Sequence, residues 1–311
     1  MGPPGVFTPY GTPPRDMPND NRTGFLLAGA AFVFWGLTPV YFKALASVSA
    51  LETVSHRIVW SALVLALLLL ILNRSFFAQV RHQLKAHGWV LGASALLLSV
   101  NWLTYIYAVV SGRVLEASLG YFINPLVNVA LAAVFLRERL TRVQKMAVFL
   151  ATAAVTQEIF RFGQFPTLAL IMAGTFGVYG LIRKKADIGG SQGLFIETLI
   201  LLPLAAGYLI YLNQQHRLAF MHQGLLISGL LFCAGLVTTL PLIWFIGATK
   251  RLTYSIIGLM QYIAPTLMGI LGYWIYGEGF PPGRGVTFSL VWLGLVLVLM
   301  ESLGRMRSRK Y

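Results

Sequence analysis

Charge is scarce in this chain. Only 11% of its 311 residues are Asp, Glu, Lys or Arg, against roughly 25% in an ordinary soluble domain. A soluble protein of this length needs a charged coat, and the residues to make one are missing. Cysteine is nearly absent too. Cys233 is the one thiol, so no intrachain disulfide forms, and inside its apolar run it reads as a small packing residue. No His/Cys spacing suited to a metal, no phosphate-cradling glycine loop and no G-x-S-x-G stands out. No cofactor and no metal are expected. The formal net charge is +14, but the basic residues come in short clusters between apolar runs. No basic stripe interleaved with stacking aromatics is present, which argues against a nucleic-acid partner.

What the chain has is hydrophobicity, at 57% of residues. Ten apolar runs are long enough to cross a bilayer, which takes about 20 residues: 23–46, 53–72, 88–111, 114–135, 143–160, 166–183, 192–212, 223–248, 253–276 and 285–304. The longest connector, 73–87, is too short to hide a soluble catalytic domain. Ahead of the first run, "MGPPGVFTPYGTPPRDMPNDNR" (1–22) is rich in Pro and Gly and reads as a disordered cytoplasmic tail. It lacks the apolar core and cleavage site of a secretory signal. Eighteen of the 24 Lys and Arg fall in the two tails and every second loop; the remaining loops hold Arg113, Arg161, Arg217 and Arg284. That asymmetry places both termini in the cytoplasm and favours an even number of spans.

The chain also repeats itself. A shift of 140 residues brings Pro125 onto Pro265, Glu138 onto Glu278 and Ala108 onto Ala248. A shift of 141 brings Gly36 onto Gly177, Lys43 onto Lys184 and His56 onto Glu197. Two halves of five spans follow, 23–160 and 161–304, with a basic cytoplasmic tail at 305–311. Five is odd, so the second half enters from the opposite side. The expected fold is an all-α membrane protein of ten transmembrane helices in two inverted five-helix repeats, with any substrate site at their interface.

The segments "FWGLTPVYFK", "SHRIVW", "NWLTYIYAV", "LEASLGYFINPLVN", "LIRKK", "IETLILLP" and "QYIAPTLM" resemble the RarD branch of the EamA-type drug/metabolite transporters. The resemblance runs from about residue 23 to about 303. It implies a ten-helix bacterial inner-membrane carrier working by alternating access, without fixing a substrate.

The residues themselves mark a path. On a helix at roughly 100° per residue, Glu116, Gly120, Asn124, Asn128 and Tyr121 fall within about 140° of one another. Lipid satisfies neither an amide nor a carboxylate, so this face looks at protein or at a watery cavity. Pro125 frees the Tyr121 carbonyl and makes a kink or gate candidate, with Pro39, Pro241 and Pro265. Asn101, Thr104 and Tyr105 recur at helical spacing on the third span. His56, Arg57 and Glu197 are ionisable groups within spans, each costly there and each a candidate for relaying protons or binding a polar substrate. Arg57 in particular suits pairing with Glu116 or Glu52, or clasping a carboxylate. Trp35 and Thr38, with Tyr179 in the second half, supply an aromatic wall, and Gln261 adds a polar group near Pro265. Glu138 and Glu278 read as helix caps or arginine partners.

A secondary transporter exporting a small metabolite or drug-like compound is the expected function. A membrane-embedded enzyme using Glu197 and His56 as acid and base is the alternative from another class, and a non-transporting assembly subunit is a third. The bilayer and a small molecule are the expected partners, and small-residue faces permit a homodimer.

Overall fold

The structure is a computed structural model that describes residues 18–72, 76–135, 140–162, 165–186, 190–249, 251–252, 260–279 and 284–308. Among these, ten α-helices follow in order: α1 Pro18–Lys43, α2 Ala50–Leu72, α3 Phe76–Val110, α4 Val114–Phe135, α5 Arg142–Phe162, α6 Thr167–Ala186, α7 Gly190–Gln214, α8 Leu225–Thr249, α9 Ile263–Ile270 and α10 Arg284–Ser308. A π-helical turn, Leu271–Ile275, extends α9. Their cause is the apolar sequence: where water is absent, a backbone must satisfy its own N–H and C=O groups, and a helix does so within one segment.

Six helices, α1–α4, α7 and α8, are long and apolar enough to cross a membrane. Shorter apolar stretches occupy α6 (Thr167–Ile182), α9 with its π turn (Ile263–Ile275) and α10 (Gly285–Val298). The expected ninth span began at 253, and 253–259 lie outside the described residues.

Several boundaries differ from the sequence reading. The connector at 73–87 is helical from Phe76, with a kink at His87 (φ −133°, ψ 20°) before the spanning part of α3. Its residues are too polar to extend an apolar run, yet Ala, Leu, Gln, Lys and Arg are good helix formers. α1 begins at Pro18, inside the expected tail, because proline at the first helical position lacks only an N–H that would have no partner. α10 likewise runs to Ser308. Residues 1–17, 309–311 and Glu138 lie outside the described residues.

Side-chain contacts fix how the helices point. Glu52 of α2 accepts the Ala219 N–H before α8 (2.7 Å), and Glu116 of α4 accepts the Leu168 N–H of α6 (3.0 Å). Glu278, beyond α9, accepts the Val114 and Leu115 N–H groups that open α4 (2.8 and 2.7 Å). Ser47 reaches Gln223 (3.2 Å), and the Lys43 ammonium sits 5.4 Å from the Tyr276 ring centre. The α1–α2, α3–α4, α5–α6 and α7–α8 connections and the end of α9 therefore gather at one end. At the other end, Thr141 donates to Glu301 (3.0 Å), tying the start of α5 to α10. Successive helices run up and down.

The packing exchanges between halves. α1 lies on α8 as α3 lies on α6, α2 on α8 as α3 on α7, and α4 on α6 as α1 on α9. Two glycines sharpen the correspondence. A Cβ on Gly36 would meet Leu267 at 2.8 Å, and one on Gly177 would meet Val127 at 2.9 Å. The shifts of 141 and 140 residues turn the first contact into the second. Between α2 and α8 the approach is closer still: a Cβ on Gly235 would lie 2.5 Å from the Trp60 backbone. The largest apolar core, with Phe42, Ile58, Leu91, Ile106, Met172 and Ile196 among its members, joins both halves.

Candidate functional site

Arg57 lies two turns into α2, and its helix register points it at α1, α3 and α8. Its guanidinium stands 4.1 Å from the Trp102 ring centre and 5.8 Å from that of Phe42. Its Nε–H donates to Thr238 Oγ1 at 2.8 Å. The phenols of Tyr41, Tyr105 and Tyr121 are within electrostatic reach. Tyr105 packs edge-on to Phe42 and to Tyr121 (ring centres 5.7 and 5.8 Å). Its hydroxyl meets Thr38 Oγ1 at 2.7 Å. Thr38 itself donates to the Trp35 carbonyl (2.6 Å), so the shared proton comes from Tyr105. Tyr41 donates to the Leu230 carbonyl. The result is a cationic fork in an aromatic enclosure.

Of the sequence candidates, Thr38, Arg57, Tyr105 and Tyr121 meet here, with Trp35 beside them in a cluster with Phe32 and Phe245. Tyr41, Phe42, Trp102 and Thr238 were missed. A signal existed for Thr238, which sits in the polar pair of "LVTTLPL" near Pro241. None marks Phe42 or Trp102 apart from other membrane aromatics, since the stacking depends on how α1, α2 and α3 cross.

The carboxylates are placed differently. Glu116 does not pair with Arg57. It accepts the Leu168 N–H and forms an ion pair with Arg113, so it ties α4 to the start of α6. Glu52, also a sequence candidate for Arg57, accepts the Ala219 N–H and lies 3.9 Å from His56. A carboxylate at a helix start meets both unpaired N–H groups and a favourable dipole. Glu197 is fully buried, accepts from Ser94, and lies 3.3 Å from the Tyr179 hydroxyl. His56 is buried against Phe220 (ring centres 5.0 Å), and neither ring nitrogen has a hydrogen-bond partner among the described residues. The neighbours of His56 and those of Glu197 differ.

The asparagines divide as well. Asn101 donates to the Met172 carbonyl and to Thr175 (2.9 and 3.1 Å), joining α3 to α6. Asn128 is exposed. Asn124 is 1% exposed, and both its amide oxygen and nitrogen lack a partner among the described residues. It lies between two close approaches of α4 to α6: a Cβ on Gly120 would sit 3.0 Å from Ala169, and Gly177 faces Val127. The polar face of α4 is therefore mostly a helix seam in this conformation, with Tyr121 at its edge.

The prolines behave unequally. α1, α4 and α8 run on through Pro39, Pro125 and Pro241. Near Pro265 the helix breaks: Met260 is helical, Gln261 and Tyr262 form a turn, and α9 starts at Ile263. A proline ring clashes with the carbonyl four residues back, here that of Gln261. The Pro265 carbonyl accepts from Ser118 at 2.8 Å. Gln261 is half-buried in the break. No group of three or more His, Cys, Asp or Glu suited to a metal occurs among the described residues.

Comparison with known proteins gives a consistent neighbourhood. Residues 22–157 match the model of the EamA-like transporter family. An "uncharacterized transporter" of Vibrio cholerae is 44% identical, over 91% of this chain and 94% of its own. "Protein RarD" of Escherichia coli is 41% identical, over 91% and 95%. A "chloramphenicol-sensitive protein RarD" of Pseudomonas aeruginosa is 31% identical, over 92% and 96%. A solved crystal structure at 17% identity covers 91% of this chain and 99% of its own with a TM-score of 0.58, a likeness of fold.

Proposed function

This chain belongs to the RarD branch of the EamA-like transporter family, and from that membership we propose a secondary transporter that exports a small metabolite or drug-like compound by alternating access. The observation that carries the reading is the enclosure around Arg57. It is polar and aromatic, it lies inside an apolar bundle, and it draws on helices of both halves (α1 to α4 with α8). Secondary transporters hold substrate between repeats.

The arrangement proposed is ten crossings in two inverted halves, 23–160 and 161–304. The exchanged contacts of Gly36 and Gly177 support it. So does the gathering of the C-terminal end of α1 and the N-terminal end of α6 at the same end of the bundle. The excess of Lys and Arg in the tails and alternate loops puts the termini in the cytoplasm of a bacterial cell, and the carboxylate-capped end outside. The halves rock about the enclosure, with the unpartnered Asn124 amide and the turn at Gln261 as the places where α4 and α9 rearrange.

The test is counterflow in proteoliposomes with labelled amino acids, small aromatic metabolites and chloramphenicol-like drugs. Saturable exchange, lost in folded Arg57→Gln protein, is expected. Folded protein that neither exchanges nor is stabilised by any compound of the panel would sink the reading.

A further inference from the structure

We propose that the Arg57 enclosure is an anion site and that its ligand is a carboxylate carried on a compact apolar or aromatic body. The proposal deepens the transport reading and rests on it for the site's purpose. Its first warrant is missing charge. A cation within a membrane span costs about 2.5–3.5 kcal/mol on the gentlest scale and is normally paired. Arg57 has no ion pair among the described residues. The acids nearest in the chain or across the bundle are engaged elsewhere: Glu52 on Ala219, Glu116 on Leu168 and Arg113, Glu197 on Ser94, Glu278 on the start of α4.

The second warrant is geometry. Nε is spent on Thr238 and the face on Trp102. The two terminal Nη groups make no hydrogen bond among the described residues, and the side chain is half-buried rather than sealed. That leaves the paired donors that match a carboxylate's two oxygens. The Tyr121 hydroxyl, within electrostatic reach, also makes no hydrogen bond among the described residues. It is a third donor for the same anion.

The third warrant is the wall. Phe42, Trp102, Tyr105 and Tyr121 present ring faces and edges around the fork. Such a wall suits an apolar body and poorly replaces the hydration shell of phosphate or chloride. A cationic ligand would meet Arg57 charge to charge, and a neutral one would leave that charge uncompensated.

The experiment is equilibrium dialysis and thermal unfolding on the purified full chain in neutral detergent. The probes are benzoate and 3-phenylpropionate, their neutral amides, 3-phenylpropylamine, and inorganic phosphate alone. At least one carboxylate should bind, with its amide and the amine roughly 30-fold weaker or worse, and phosphate alone weak. Arg57→Gln should lose at least roughly 30-fold in carboxylate affinity, the scale for removing one partner of a buried charge pair. Arg57→Lys, which keeps the charge and loses the fork, should fall between, and it carries the test if Arg57→Gln does not fold. Reconstitution in phosphatidylcholine removes anionic lipid as a competing source of the anion. Stabilisation by phosphatidylglycerol that is lost in Arg57→Gln, with none from any carboxylate in neutral detergent or phosphatidylcholine, would assign the site to lipid and overturn the proposal. Equal binding of amides, survival of carboxylate binding in folded Arg57→Gln, or no carboxylate binding at all would overturn it as well. Counterflow of neutral compounds indifferent to Arg57 would sink the anion site and leave transport standing. Carboxylate binding without any counterflow would do the reverse.

Discussion

Glu197 and Arg57 are both ionisable, both sit two turns into a helix, and both face the shared interior. Glu197 is sealed from solvent and accepts from Ser94, with Tyr179 beside it. Arg57 is half-buried among aromatic rings and uses one donor of its fork. The difference separates two uses of polarity in an apolar bundle. A buried group whose hydrogen bonds are met holds helices together. A group whose bonds are left open stores a demand that something else must meet. By that measure Glu52, Glu116 and Glu278 belong with Glu197, and Asn124 belongs with Arg57.

The comparison breaks most sharply at Arg57. Arg57→Gln should reduce counterflow by roughly 30-fold or more. Its unfolding midpoint should move little, since the lost Thr238 and Trp102 contacts are offset by removal of a charge that has no ion pair among the described residues. A folded variant that transports normally would place Arg57 with the structural groups. Next in size is Glu278→Ala. It strips two first-turn N–H groups of α4 of their acceptor and should cost about 2 kcal/mol of stability. The variant should melt lower while the folded fraction keeps its substrate affinity.

Asn124→Leu sharpens the contrast from the other side. Replacing an unpartnered buried amide by an apolar group of similar size should stabilise the α4–α6 seam by about 1–2 kcal/mol. It should also slow counterflow, because the seam then resists parting. A lower melting point would mean that the amide has a partner in the resting protein. Smallest is Trp102→Phe, which weakens the ring under the guanidinium by about 0.5–1 kcal/mol. A few-fold loss of carboxylate affinity beside a slightly lower melting point is expected, read by dialysis and melting together.

Much of the fold is legible in the sequence because the bilayer imposes a coarse rule. An apolar run becomes a helix, and the runs at 53–72, 88–111 and 114–135 match α2, the spanning part of α3, and α4 closely. Polar helices escape that rule, and the segment before His87 was therefore read as a connector. The site was legible in part. Arg57, Tyr105, Tyr121 and Thr38 stand out as polar groups in apolar runs, whereas Phe42 and Trp102 look like any membrane aromatic. The α4 stripe was read as one wall, but Glu116 and Gly120 pack on α6 and only Tyr121 reaches the enclosure. Helical periodicity gives a direction around one helix; it does not say which neighbour lies there.

The sequence by itself determined the class of molecule and most of its helices, and it supplied the spacing from which a repeat is proposed. Those follow from hydropathy and spacing along the chain, which need no partner to be read. Only the tertiary structure decided which polar groups are satisfied. Hydrogen bonds such as Glu278 to Val114 and Asn101 to Met172 join residues far apart in the chain. Whether Arg57 or Asn124 is left open depends on what every other helix brings to it.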